Sequence, residues 1–276
     1  LTSIDISDPS NLTELDSYTN ATTLNTARAV VLDLDRNIAF VGCQSGDRIT
    51  SIDISDPSIL VELGSLLDTT ELNQVFDLAL DVSNQVLYAA VYGGNRFTSV
   101  DVSDPANPTV LDSATDSSNF TLRDLHCVAL DLTNQIAYVG AYGDDSVSSI
   151  DISNPSSLVK LDTVRSSTFL DRPADIALDT ANNIAYVTGA GGFVTRVNIS
   201  DPSNLSVSNS FTSMSHAQGI VLDLDNDIAY LAETGQNQCR SVSILGSITA
   251  LESNAYIATN IGAWDIPSRL DIRVAY

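Results

Sequence analysis

The sequence is short of basic residues, cysteines and long hydrophobic runs. Its 276 residues contain 12 lysines and arginines against 35 aspartates and glutamates, which gives a formal net charge of −23. A protein of that charge repels phosphate backbones and anionic lipid surfaces, so nucleic acid is a poor fit as a partner. No apolar run approaches the roughly 20 residues that a membrane-spanning helix needs, and we expect no membrane insertion.

Cysteine and lysine are scarce. Cys43, Cys127 and Cys239 are too few and too widely spaced for a disulfide framework, and their odd number leaves at least one thiol free or paired with another chain. Lys160 is the single lysine, Ser, Thr, Asn and Asp are abundant, and the chain begins at Leu1 with no signal peptide. These features favour a processed protein, exported to the cell surface or the extracellular space. The Asn-x-Ser/Thr motifs that offer candidate glycosylation sites begin at Asn11, Asn20, Asn119, Asn198 and Asn204. Chance alone gives about four such motifs in this composition, so they are weak evidence.

An internal repeat is the strongest signal in the sequence. The segment Ser-Ile-Asp-Ile-Ser-Asp-Pro-Ser at residues 3–10 returns unchanged at 51–58. Variants begin at residues 99, 149 and 196, and a degraded copy begins at 241, at successive spacings of 48, 48, 50, 47 and 45 residues. Self-similarity at such a fixed period indicates a repeat architecture.

A second motif alternates with the first at the same period. It is an apolar run ending in Leu-Asp, a polar turn, and a second apolar run. Its copies lie at 29–42, 78–91, 128–141, 176–189 and 220–233, with a degraded copy at 262–276. Each full unit therefore has four short β-rich runs, here called strands A to D, separated by turn residues. Strand B is apolar at every position, as at 38–42, so we expect it to be buried between two sheets. No helical periodicity is present, and we expect essentially no helix.

These patterns predict an all-β fold, a single six-bladed β-propeller over residues 1–276 with four-stranded antiparallel blades. The chain begins in strand C and ends in strand B. The N-terminal outer strands at 3–20 would therefore pair with the C-terminal inner strands at 261–276 and close the ring. The alternative is that residues 3–20 complete a blade of a neighbouring copy and build a polymer by strand donation. The predicted blades cover 27–66, 75–114, 125–165, 173–212 and 217–257, and 261–276 plus 3–20 form the sixth.

At these motifs the sequence resembles the LVIVD-repeat propellers. The resemblance is carried by Ile-Asp-Ile-Ser-Asp-Pro-Ser at 52–58 and by Ile-Ala-Tyr-Val at 136–139. It covers nearly the whole chain and weakens over 239–276. The resemblance implies a β-propeller in an exported or surface-attached protein. It supplies no shared catalytic residues, and so it favours a binding or structural role without naming a ligand.

Two sets of aspartates recur once per repeat. One set is Asp33, Asp81, Asp131, Asp179 and Asp223, and the other is Asp5, Asp53, Asp101 and Asp151. A ring of acids is a ligand set that suits Ca²⁺, which is the one ion that the sequence suggests. An aspartate used once in every blade is more simply a turn residue, because its side chain accepts hydrogen bonds from nearby backbone N–H groups. We therefore expect turn-forming aspartates and no obligatory cofactor.

Residues that break the repeat are better candidates for a site, because the fold does not require them. Arg28, Asp77, His126 and Asp175 lie near the starts of successive A strands, where side chains converge on the central channel. Tyr92 and Tyr142 follow two B strands and are placed to stack on a sugar ring or on a partner surface. These six residues form the predicted ligand-binding set. A polar channel filled with water would explain the four channel residues without any ligand.

No catalytic motif is present. The two histidines, His126 and His216, fall in different repeats, and no nucleophile elbow, Cys-x-x-Cys, zinc-binding helix motif or phosphate loop occurs. We therefore predict a non-catalytic extracellular interaction or structural module, such as an adhesin, a surface-layer component or a filament subunit. Its partners would be other proteins, copies of itself, or glycans. The alternative is a metal-dependent hydrolase, similar to lactonases, that uses carboxylates in the central channel.

Overall fold

The computed structural model of the chain describes residues 1–115, 122–212 and 216–244. Within these ranges the regular structure is β-strand, except for one 3-10 turn at Tyr142–Asp144. No helix among the described residues is long and apolar enough to cross a membrane.

Consecutive strands form antiparallel meanders, and the blades are numbered here in chain order. Blade 1 comprises β3 (Ala27–Asp33), β4 (Ile38–Cys43), β5 (Arg48–Asp53) and β6 (Val61–Leu67). Blade 2 comprises β7 (Val75–Asp81), β8 (Val86–Val91), β9 (Arg96–Asp101) and β10 (Thr109–Thr115). Blade 3 comprises β11 (Leu125–Asp131), β12 (Ile136–Ala141), β13 (Ser146–Asp151) and β14 (Val159–Arg165). Blade 4 comprises β15 (Pro173–Asp179), β16 (Ile184–Gly189), β17 (Phe193–Asn198) and β18 (Ser206–Thr212). Blade 5 has three strands among the described residues, β19 (Ala217–Asp223), β20 (Ile228–Glu233) and β21 (Gln238–Ser243). A separate two-stranded sheet precedes them, with β1 (Thr2–Asp5) and β2 (Thr13–Ser17).

The recurring aspartates form the turns, as the sequence predicts. Asp81 Oδ1 accepts a hydrogen bond from the backbone N–H of Asn84 at 3.0 Å, and its Oδ2 accepts one from the Asn84 side chain at 2.7 Å. The same pair of bonds recurs at the other A–B turns, from Asp33, Asp131, Asp179 and Asp223. These side chains satisfy donors that the tight turn leaves unpaired. The A–B turn is therefore encoded locally in every blade.

The core lies between blades rather than within them. The inner strands β3, β7, β11, β15 and β19 pack side by side in chain order. Strands β4, β8 and β12 are buried at every residue, as expected of strand B, whereas alternate residues of β20 in blade 5 are exposed. Polar bonds also join the blades: the Ser99 hydroxyl donates to the carbonyl of Pro155 in the next blade at 2.6 Å. A separate hydrophobic cluster lies between each pair of successive blades, and the serine contact recurs from blade 1 through blade 4.

The structure confirms an all-β propeller with four-stranded antiparallel blades, but the predicted count of six blades is wrong. The described residues form five blades, with β1 and β2 as an additional hairpin. The sixth blade depended on the degraded copy at 262–276, which lies outside the described residues, as does the predicted pairing with 261–276. The second run of the intact copies is mostly apolar, whereas the degraded copy carries Asp271 and Arg273 there, so its sequence is a poor match to the motif. The repeat alone therefore overstated the number of blades.

Blade 1 and blade 2 differ in the burial of equivalent residues on their inner strands. Val30 on β3 is 42% exposed, whereas Leu78, its equivalent on β7, is 0% exposed. The hairpin nevertheless contacts blade 1 as one blade contacts the next, because the Ser3 hydroxyl donates to the carbonyl of Pro57 at 2.5 Å. Residues 2–17 therefore occupy the position of an outer strand pair beside blade 1.

Candidate ligand-binding site

A β-bulge interrupts the start of every inner strand. In each A–B pair the register shifts by one residue, so that a single residue of strand A lies opposite no partner on strand B. The bulged residues are Arg28, Phe76, His126, Ala174 and Gln218. Bulges redirect a side chain out of the regular alternation, and they are common beside functional sites. Here five bulges, one in each blade, lie at the same end of the central channel.

The bulges of blades 2 and 3 bring four rings together, and we call Phe76, Tyr92, His126 and Tyr142 the aromatic row. Phe76 stacks on Tyr92 with ring centroids 4.5 Å apart, and it contacts His126 at 4.5 Å. His126 in turn stacks on Tyr142 at 4.4 Å. All four side chains are half-buried, so each keeps part of its surface open to solvent. The row joins two blades into one continuous aromatic surface.

An arginine lies at each end of the aromatic row. The Arg28 guanidinium of blade 1 lies 3.6 Å from the centroid of Phe76, and that of Arg172, just before blade 4, lies 5.8 Å from Tyr142. Arg172 also donates a hydrogen bond to Asp171 Oδ1 at 3.1 Å, and its hydrogen bonds to Asp171 and then to Tyr142 raise its pKa. The arrangement therefore spans four blades, with cation–π contacts at both ends.

Burial makes the centre of the row neutral. Burial, followed by the charge of Arg28, lowers the pKa of His126 to about 4. Burial also lowers the pKa of Arg28, while the charge of Asp77 opposes that change. At neutral pH the site therefore presents a neutral imidazole among the other rings and a partly desolvated guanidinium beside them.

Two predicted site residues take part in contacts between blades. Asp77 accepts backbone hydrogen bonds from Leu78 and from Val128 of blade 3, both at 2.9 Å. Asp175 does the same with Ile176 and with Ile220 of blade 5, at 2.8 and 2.9 Å. These carboxylates bind the bulged strand to its neighbour, and their part in binding a ligand stays a prediction.

The structure thus brings together four of the six predicted residues: Arg28, Tyr92, His126 and Tyr142. Sequence reasoning passed over Phe76, although it occupies the same repeat position as Arg28 and His126. It also missed Arg172, which precedes a strand rather than lying within one. An alignment of the repeats could have identified Phe76, because Arg28, Phe76 and His126 occupy the repeat position that Ala174 fills in blade 4.

Carboxylates do not gather into a metal site in the part of the chain that the structure describes. No group of three or more His, Cys, Asp or Glu side chains there is placed to hold a metal ion. The acids of the second recurring set also act in turns, as when Asp53 accepts a hydrogen bond from the N–H of Ser55 at 2.8 Å. The residues therefore do not provide the Ca²⁺ site that a ring of acids suggested, and Ca²⁺ binding stays untested.

The remaining sequence features are scattered over the fold. None of the three cysteines forms a disulfide among the described residues; Cys43 and Cys127 are buried and Cys239 is exposed. Burial raises the pKa of the Cys43 thiol to about 11. Among the glycosylation motifs, Asn11 and Asn204 are exposed, Asn20 and Asn198 accept backbone hydrogen bonds, and Asn119 lies outside the described residues.

The repeat identifies the family. The LVIVD repeat matches residues 1–20, 36–68, 79–116, 135–164 and 178–213. The chain belongs to the LVIVD-repeat family. The matched segments fall on the strands and turns of the blades just described, and they confirm the resemblance that the sequence motifs indicated. No curated protein sequence matches this LVIVD-repeat chain.

Solved structures share the fold of this LVIVD-repeat protein at low sequence identity. A protein from Lactobacillus plantarum superposes with a TM-score of 0.68 at 15% identity, over 84% of this chain and 74% of its own. A Bacteroides uniformis protein named as a candidate 6-phosphogluconolactonase gives 0.64 at 14% identity, over 80% of this chain and 67% of its own. A chain of a mitotic checkpoint complex superposes with a TM-score of 0.62 at 13% identity, over 77% of this chain and 60% of its own. Proteins with such different names show a common fold and no common activity.

Proposed function

We propose that this LVIVD-repeat propeller is a non-catalytic interaction module that acts outside the cell and binds a ligand at the aromatic row. The observation that carries the proposal is the row itself, in which rings from two blades meet between two arginines. Half-buried aromatic and arginine side chains are the residues that dominate recognition surfaces. The propeller is then a rigid support for a binding face.

The position of the row supports this function. Tyr92 and Tyr142 follow the B strands directly, and their backbone N–H groups donate to the carbonyls of Gln74 and Asp124 at 2.9 and 3.0 Å. The residues on either side of each bulge are paired with strand B. Side chains on a backbone held in this way lose little conformational freedom on binding, which favours affinity. Glycans are the partner class that fits stacked tyrosines, whereas protein partners or further copies would need a larger flat surface.

The alternative of a metal-dependent hydrolase has less support. It requires channel carboxylates that are free to bind a metal ion, whereas both oxygens of Asp77 and of Asp175 accept backbone hydrogen bonds. The Bacteroides uniformis protein shares the fold, and at 14% identity its name transfers no residue roles to this chain. A hydrolase would show turnover of simple lactones, and an interaction module would show none.

A saccharide array tests the proposal. The full chain is applied to the array beside Tyr142→Ala, which removes one ring of the row, and Tyr230→Ala, which removes an exposed tyrosine of blade 5. We expect the wild-type protein and Tyr230→Ala to bind the same glycans, and Tyr142→Ala to bind them at least about tenfold more weakly, as loss of a buried aromatic contact implies. Binding that both variants retain, or no glycan binding at all, would contradict a glycan-binding role for the row.

A further inference from the structure

Arg28 differs in its partners from the arginines that form ion pairs. Five arginines form ion pairs with carboxylates, namely Arg36, Arg96, Arg123, Arg172 and Arg240. Among the residues that the structure describes, none forms a hydrogen bond or an ion pair with the Arg28 guanidinium. Its face is covered by Phe76, and the nearby carboxylate of Asp77 already accepts hydrogen bonds from two backbone N–H groups. The charge of Asp77 acts on this guanidinium, but both oxygens of that carboxylate are already engaged by backbone donors.

Such a guanidinium is suited to an anion. Its ring contact fixes the plane of the group, its hydrogen-bond donors point outward from the edge of that plane, and a planar fork of donors matches a carboxylate. Its partial burial strengthens the pairing, because the electrostatic interaction is screened less than at a fully exposed surface. The aromatic row lies directly beside it and offers apolar surface to the rest of the ligand.

We infer that the aromatic row and Arg28 together bind a sugar acid: a short saccharide whose carboxylate pairs with Arg28 while its pyranose ring packs on the row. This inference rests on the proposed function, since it names the ligand class of the same site. The apolar C–H face of a pyranose suits an aromatic surface, and the tyrosine hydroxyls supply polar partners at its edge. The carboxylate of the ligand would accept hydrogen bonds from the edge of the Arg28 guanidinium.

The overall charge limits the ligand to one or a few acidic groups. A protein of net charge −23 repels a polyanion at long range, so a densely charged polysaccharide is disfavoured. A phosphate monoester carries close to two charges and takes donors from several groups, whereas Arg28 alone is unpaired at its end of the row. A single carboxylate on an otherwise neutral saccharide meets both conditions.

Two matched disaccharides test the inference by calorimetric titration of the full chain. Cellobiouronic acid carries one carboxylate, and cellobiose is the neutral counterpart with the same linkage. We expect the acid to bind at least about tenfold more tightly, because a charge-assisted hydrogen-bonded pair contributes that much or more. Arg28→Gln should remove this preference, so that the acid and cellobiose bind with equal affinity.

Two further variants separate the possible failures. Arg48→Gln removes one positive charge from β5, two strands outward in blade 1, and should preserve the preference for the acid. Tyr142→Ala should weaken both disaccharides together. If both sugars bind in a Tyr142-dependent way with equal affinity, the acidic ligand is wrong and the proposed function stands. If neither sugar binds, the inference is overturned, and the array result then decides the proposed function independently.

Discussion

The same eight residues, Ser-Ile-Asp-Ile-Ser-Asp-Pro-Ser, occur at the N-terminus and in blade 1, and they meet different surroundings. Both copies form a strand that ends in the same turn, where Asp5 and Asp53 each accept a backbone N–H bond at 2.8 Å. Yet Ile4 is 51% exposed and Ile52 is 0% exposed. Local sequence thus determines the strand and the turn, and neighbouring strands determine burial.

This difference predicts unequal effects of one substitution in the two copies. Ile52→Ala should lower the free energy of unfolding by about 2–5 kcal/mol, because it opens a cavity in the enclosed core. Ile4→Ala should lower it by about 0.5 kcal/mol or less, since the side chain is already largely in solvent. Urea denaturation followed by circular dichroism measures both. Equal losses of stability would mean that Ile4 is as enclosed as Ile52, which would contradict the difference in burial between the two copies.

Equivalent serines in the N-terminal hairpin and in blade 2 make the same hydrogen bonds but differ in burial. Ser99 is buried, donates to the Pro155 carbonyl at 2.6 Å and accepts the N–H of Asp112 at 3.2 Å. Ser3 makes the equivalent bonds to Pro57 at 2.5 Å and from Asp16 at 3.0 Å, but it lies at an exposed edge.

Removal of the hydroxyl should therefore be costly only in the interior. We expect Ser99→Ala to cost about 1–3 kcal/mol, because it leaves buried partners unsatisfied. Ser3→Ala should cost about 0.5 kcal/mol or less, since water replaces the lost partner. The midpoints of thermal unfolding give the ranking, with Ser99→Thr as a variant that keeps a hydroxyl. A larger loss at Ser3 than at Ser99 would show that the hydrogen bonds, and not their burial, stabilise the contacts between blades.

The repeat made the strands and turns of this protein predictable from its sequence. The number of blades and the aromatic row depend on contacts between distant residues and were harder to predict. Turn aspartates such as Asp81 and the enclosed B strands follow from short motifs whose physics is local. The number of blades depends on a degraded copy, where the pattern is too weak to decide. The aromatic row depends on a register shift of one residue, which places Phe76 and His126 side by side although they lie in different repeats. Neither repeat motif predicts such a bulge, because a bulge arises from the pairing of two strands.

Burial in the aromatic row should also make folding stability depend on pH through His126, and this is the smallest effect that we predict. His126 lies within the aromatic row, and burial lowers its pKa to about 4, below the ordinary value of about 6.5. As pH falls from about 6.5 towards 4, the unfolded chain takes up a proton at this residue and the folded chain does not, so folding stability decreases. His126→Gln removes that contribution and should flatten the decrease. Urea midpoints between pH 4 and 7 measure the profiles of the wild-type protein and of His126→Gln. Parallel profiles for wild type and His126→Gln would mean that the imidazole is as open to water in the row as in the unfolded chain, which the ring contacts at 4.4 and 4.5 Å do not allow.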